Sequence, residues 1–189
     1  NLIISNGADN ADILFKCDDG SGGLATYFFL DGSQSGGGNL YTKFPDNSII
    51  SLGTGSDCYI RHDGTDTTIV NATGDLKITS ADADKDLILS CDDGSGGETA
   101  YITLDGSGSQ IHIAKPMRFP DSVGATFGTG NDLEIYHNGT YSNINNKLGH
   151  LYITNSADDS DVIFRSDDGS GGVETYFFLD GSTGVTTFP

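Results

Sequence analysis

The chain has 189 residues, of which 27 are glycine, one is methionine and none is tryptophan, and only 35% are hydrophobic. That is too lean for one large globular core. With 27 acidic against 9 basic residues the formal charge is −18, which opposes a phosphate backbone or an anionic membrane surface, and no apolar run is long enough to span a bilayer.

The strongest signal is repetition. Asp-Asp-Gly-Ser-Gly-Gly recurs unchanged at 18–23, 92–97 and 167–172, with starts 74 and then 75 residues apart. Around these anchors two units alternate as A-B-A-B-A: 1–45, 46–74, 75–120, 121–149 and 150–189. Each A unit runs from Leu-x-Ile and then Ala-Asp through an apolar run, the glycine-rich turn, an aromatic run and Leu-Asp-Gly-Ser, and closes on Phe-Pro. Each B unit is built on Gly-Thr-Gly, an alternating strand and an Asp-Gly or Asn-Gly turn. Both ends fall at positions that other copies continue through, so a longer parent array is expected.

In chain order, Ile13–Phe15 and Thr26–Leu30 flank the first glycine-rich turn and read as a hairpin. Period-two alternation puts Phe28 and Leu30 on one face and Tyr27 on the other. Cys58–His62 follows, alternating Cys58, Ile60 and His62 against Tyr59 and Arg61, with Asp63-Gly64 as the reversal and Ile69 on the return strand. The second A unit repeats the hairpin at 87–89 and 100–104, with Ile102 and Leu104 facing away from Tyr101. The second B unit repeats the alternation at Leu133–His137 before Asn138-Gly139 and Ile144. The last A unit has 162–164 and 175–179, with Phe177 and Leu179 opposite Tyr176. No stretch of ten residues carries a helical period free of Gly, Asn or Asp clusters. The expected class is all-β, an elongated array of β-hairpins with roughly six strands per period.

Three cysteines, Cys17, Cys58 and Cys91, have Leu133 or Ser166 as counterparts in other copies, so buried free thiols are expected rather than a disulfide framework. Such thiols suit synthesis in a reducing cytoplasm.

Four features bear on chemistry. The pairs Asp18 and Asp19, Asp92 and Asp93, and Asp167 and Asp168 offer carboxylates beside turn carbonyls, a donor set suited to calcium, against the competing reading of solvated turns. His62 and His137 fall on the apolar side of their strands, where three chains would bring them together as metal ligands or pH sensors; a hydrogen-bonded histidine beside a turn competes. The stretch between Leu-Asp-Gly-Ser and Phe-Pro varies most, with ten residues at 34–43, eleven at 108–118 and five at 183–187. Its second copy gathers His112, Lys115 and Arg118, a candidate recognition surface or a drifting loop. Carboxylate pairs serve glycoside hydrolysis, but every acidic pair here recurs in a turn, so no catalytic residue is assigned.

The segments Asp-Leu-Glu-Ile-Tyr-His-Asn-Gly-Thr at 132–140, Leu-Tyr-Ile-Thr-Asn at 151–155 and Asp-Val-Ile-Phe-Arg-Ser-Asp-Asp-Gly-Ser-Gly-Gly at 161–172 resemble repeats in tail-fibre-like structural proteins of marine bacteriophages. The resemblance covers essentially the whole chain. It implies a homotrimeric β-fibre of triple β-helix or β-prism type, extracellular on the virion, joined to other virion structural proteins and contacting host-surface glycan. A cellular filament or adhesin and a polysaccharide depolymerase spike are the alternatives. Independently, a repeat this poor in large apolar residues needs neighbouring repeats or chains to bury its faces and strand edges.

Overall fold

A computed structural model describes the backbone of all 189 residues and the side chains at 1–34 and 37–189. It is built of five three-stranded antiparallel sheets, each a simple meander, with no helix among the described residues. The first sheet comprises β1 (Ile13–Asp18), β2 (Leu24–Gly36) and β3 (Asn39–Lys43); the second β4 (Ile49–Leu52), β5 (Cys58–His62) and β6 (Thr67–Asn71). The third comprises β7 (Leu87–Asp92), β8 (Glu98–Asp105) and β9 (Gln110–Ile113); the fourth β10 (Gly124–Phe127), β11 (Leu133–His137) and β12 (Ser142–Asn146); the fifth β13 (Val162–Asp167), β14 (Val173–Asp180) and β15 (Val185–Thr187). Each sheet lies within one A or B unit, and a 75-residue period holds six strands. The chain divides into two compact units, Asn1–Leu87 and Ile88–Pro189.

The hairpins read from alternation are present, and each gains a third strand. Ile50 pairs with Ile60 and Ile60 with Ile69, making an aliphatic row across the second sheet. Ala125, Ile135 and Ile144 form its counterpart in the fourth. Antiparallel partners lie on the same face, so these rows concentrate apolar side chains on one side of each sheet.

In the first sheet the row Ile13, Leu30 and Thr42 runs beside Phe15, Phe28 and Phe44, whose rings stack at centroid distances of 4.4 and 5.6 Å. Phe164 and Phe177 repeat the stack at 4.4 Å, and Phe188 extends it at 5.7 Å. Directly beyond these aromatics the register slips, leaving Tyr27 and Tyr176 as the extra residues of β-bulges. These tyrosines therefore stand outside the simple alternation that assigns them to the opposite face.

Two expectations need correction. The variable stretch after Leu-Asp-Gly-Ser is not a free loop: it supplies β3, β9 and β15, whose backbone bonds to the returning strand of the hairpin. The apolar faces are also not a core. Among the described residues no hydrophobic side chain is buried, because a single three-stranded meander has nothing of its own chain stacked on that face.

Candidate interaction surface

The turns are closed systems. In the first copy Asp19 Oδ1 accepts from the Ser21 amide, the Ser21 hydroxyl and the Gly23 amide, at 2.8, 2.8 and 2.9 Å. Asp93 and Asp168 make the same three bonds in their copies. These donors lower all three carboxyl pKa values, the Gly23 amide dominating at Asp19, the Ser95 hydroxyl at Asp93 and the Ser170 amide at Asp168. Asp18, Asp92 and Asp167 each accept from the following glycine amide.

Gly20, Gly94 and Gly169 hold φ near +80°, where an L side chain is strained, and a Cβ on Gly23 or Gly97 would meet the aspartate oxygen at 2.5 or 2.6 Å. The tyrosine of the returning strand seals the loop: the hydroxyls of Tyr27, Tyr101 and Tyr176 donate to the carbonyls of Asp18, Asp92 and Asp167 at 2.8, 3.0 and 3.0 Å. The loop is thus held by its own side chains, with one oxygen of the second aspartate already committed to three donors. Among the described residues no three His, Cys, Asp or Glu side chains gather in a way that would hold a metal ion.

The aspartate of Leu-Asp-Gly-Ser organises the next reversal. Asp31 is the one buried polar residue among the described residues, 5% exposed; its carboxylate accepts from the Ser33 hydroxyl and pairs with Lys43 at 2.7 Å. The Lys43 bond, then that of Ser33, holds its pKa down to about 2. Asp105 is likewise lowered to about 2, chiefly by the Gly108 amide, then the Ser107 hydroxyl and His112. At Asp180 the Ser182 hydroxyl and Thr183 lower the carboxyl pKa, and the shorter third loop supplies no corresponding ion pair.

Of the candidate recognition residues, His112 Nε2 lies 3.1 Å from Asp105 and the Lys115 ammonium sits over the Tyr101 ring at 5.6 Å. No hydrogen bond or ion pair joins Arg118 to either. Both histidines of the B units stand at strand ends, with Nδ1 3.1 Å from the hydroxyl of the residue directly across, Thr67 for His62 and Ser142 for His137. They lie on the Ile60 and Ile135 side of their strands and are exposed in the single chain. The cysteines are free, but Cys17 and Cys91 are exposed and Cys58 is half-buried, so the chain itself does not supply the burial expected of them.

What remains open is the apolar surface. The chain exposes 14861 Å². A single globule of its 19.8 kDa would expose about 8,600 Å², and two globules of half that mass about 10,400 Å². The excess of at least about 4,400 Å² shows that the chain does not cover its own faces. It falls on side chains such as Leu14, Ile50, Ile60, Leu104, Ile135 and Leu179. The clefts are open and of mixed lining: one of about 440 Å³ lies among Ile4, Ile13, Leu30 and Leu40, with Asn6 and Asp31 at its wall. A counterpart of about 330 Å³ lies among Ile153, Val162, Leu179, Val185 and Thr186.

No family model matches the chain, and no curated protein or solved structure is significantly similar to it.

Proposed function

We propose that the chain is a structural segment of a phage tail fibre or related virion appendage, assembled as an intertwined homotrimer of triple β-helix or β-prism type. The observation that carries the reading is the pairing of internally satisfied turns with a complete lack of buried apolar side chains among the described residues. A chain of this kind reaches a stable fold by burying its faces on copies of itself. The carboxylates that would repel a like-charged copy are kept out of the central apolar rows. Ile50, Ile60 and Ile69, or Phe15, Phe28 and Phe44, meet a neighbour without bringing acidic groups together.

The segment acts as a rod-like spacer, held by other virion structural proteins and performing no catalysis; host-surface glycan is the partner class of the whole appendage. The viral assignment rests on the repeat resemblance. Sedimentation or native mass spectrometry should give three times the 19.8 kDa chain mass, and a stable folded monomer overturns the assembly. Antibody raised against the segment should decorate the appendages of phage particles by electron microscopy. Label found only on cell filaments would move the protein to a cellular adhesin.

A further inference from the structure

Three short segments lie alongside the sheets without pairing to them, with Ile4 and Ile153 lining the open clefts described above. They are Leu2–Ile4, Leu76–Ile78 and Leu151–Ile153, at the start of each A unit. All are free of turns and bends, and their backbone groups make no hydrogen bond with any described residue. Their side chains are open to solvent: Leu2 is 90% exposed, Leu76 and Ile78 are 53% and 62%, and Leu151 and Ile153 are 47% and 60%. Water can satisfy an unpaired backbone, and the clefts beside Ile4 and Ile153 leave these side chains about 60% exposed, so the single chain does not cover the Leu-x-Ile copies.

The pattern within the segments is that of a strand with one buried side. The first and third residues are Leu and Ile in every copy, while the middle one is Ile3, Lys77 or Tyr152. Period two sends the first and third side chains to one side and the middle to the other. Invariance on one side with Ile, Lys and Tyr interchangeable on the other fits a segment with its Leu and Ile in an apolar site and its middle residue outside.

The segments are also aimed. Asn71 donates to the carbonyls of Thr73 and Gly74, and Asn146 to those of Leu148 and Gly149, so the chain leaves β6 and β12 through the same locked turn. At the far end Asn6 and Asn155 donate to the carbonyls of Asp12 and Asp161 at 3.0 and 2.9 Å. Among the described residues Leu151–Ile153 is held at both ends, whereas Leu2–Ile4 has only the far-end bond and Leu76–Ile78 only the exit bond, Ser80 standing where the other copies have asparagine.

Resting on the proposed self-assembly, we infer that each Leu-x-Ile segment is a strand donated to a second copy of this chain, pairing with an open edge of that copy's three-stranded sheet. The chain offers both halves of the contact, since each sheet ends in edge strands with an unpaired row of backbone groups. The area also fits: the faces that the chain does not cover are left for an extensive, repeated contact such as a copy of equal length provides. Neither Leu nor Ile carries charge, so the pairing adds no repulsion to a chain of −18.

The test is hydrogen exchange on the intact wild-type assembly, with native mass measured on the same sample and on a dilution series. Amides at 76–78 and 151–153 should include members slowed at least about 100-fold relative to short unfolded peptides of the same sequence, and the slowing should vanish where the mass falls to one chain. A trimer whose segments exchange as fast as those peptides overturns the donated strand and leaves the assembly standing. Slow exchange that persists in the single chain shows pairing within the chain and also overturns it. A sample that is monomeric at all concentrations removes the assembly and this inference together.

Discussion

The glycine-rich turns and the Leu-x-Ile segments both recur in all three A units, yet one is complete within the chain and the other is not. Each turn spends its aspartate, serine, glycine amides and tyrosine hydroxyl on bonds no more than nine residues apart. Each segment leaves its backbone unpaired and its leucine and isoleucine bare. Repetition alone therefore does not separate local from collective stability. The separation comes from asking where every polar and apolar group finds a partner.

The most damaging way to break this comparison is to remove the apolar side of the segments. Replacing Leu76, Ile78, Leu151 and Ile153 by serine forfeits about 1.5–3 kcal/mol of burial at each site in an assembled chain, and should dissociate the trimer at micromolar concentration. Analytical ultracentrifugation checks this, and an unchanged trimer mass would show the segments idle. Changing Gly94 to Ala should cost only about 1–2 kcal/mol per chain, because φ of +85° is strained for an L side chain. Thermal melting should register that loss while the mass stays trimeric.

The smallest effect concerns acid. Asp31 titrates at about 2 in the folded chain against 3.8 ordinarily. A depressed folded pKa gives stability that is complete above the ordinary value and drains away as pH falls from 3.8 towards 2. Lys43→Met removes the largest cause of the depression and should flatten the melting temperature between pH 4 and 2, leaving the units of Asp105 and Asp180 as internal references. An acid limb identical to wild type would show that the ion pair contributes nothing.

Much of this architecture was legible from side-chain spacing. The pairs β5 with β6 and β11 with β12 follow from strict alternation up to Asp63-Gly64 and Asn138-Gly139, and the hairpins of the A units from glycine-rich turns between apolar runs. The count of about six strands per period was legible as well, but not where the third strand of each sheet lies. β10 is Gly-Ala-Thr-Phe and β15 only Val-Thr-Thr, too short and too polar to stand out from loop composition, and their pairing is set by the neighbouring strand. The bulges at Tyr27 and Tyr176 are equally hidden, since one extra residue leaves composition untouched while reversing the faces beyond it. The Asp31 and Lys43 pair joins residues across a turn whose length differs in every copy. For the exposed Leu and Ile, the sequence says only that they must be buried, not that their own chain fails to do it.

The locked exits at Asn71 and Asn146 have a genetic corollary. The sheets, turns and exits described above each lie inside one period, so an in-frame gain or loss of one 74- or 75-residue block leaves each remaining one as it was. Recombination at the hexapeptide that the blocks share then changes the number of periods in whole steps. The number of blocks becomes a heritable, countable trait, selectable independently of the residues within them.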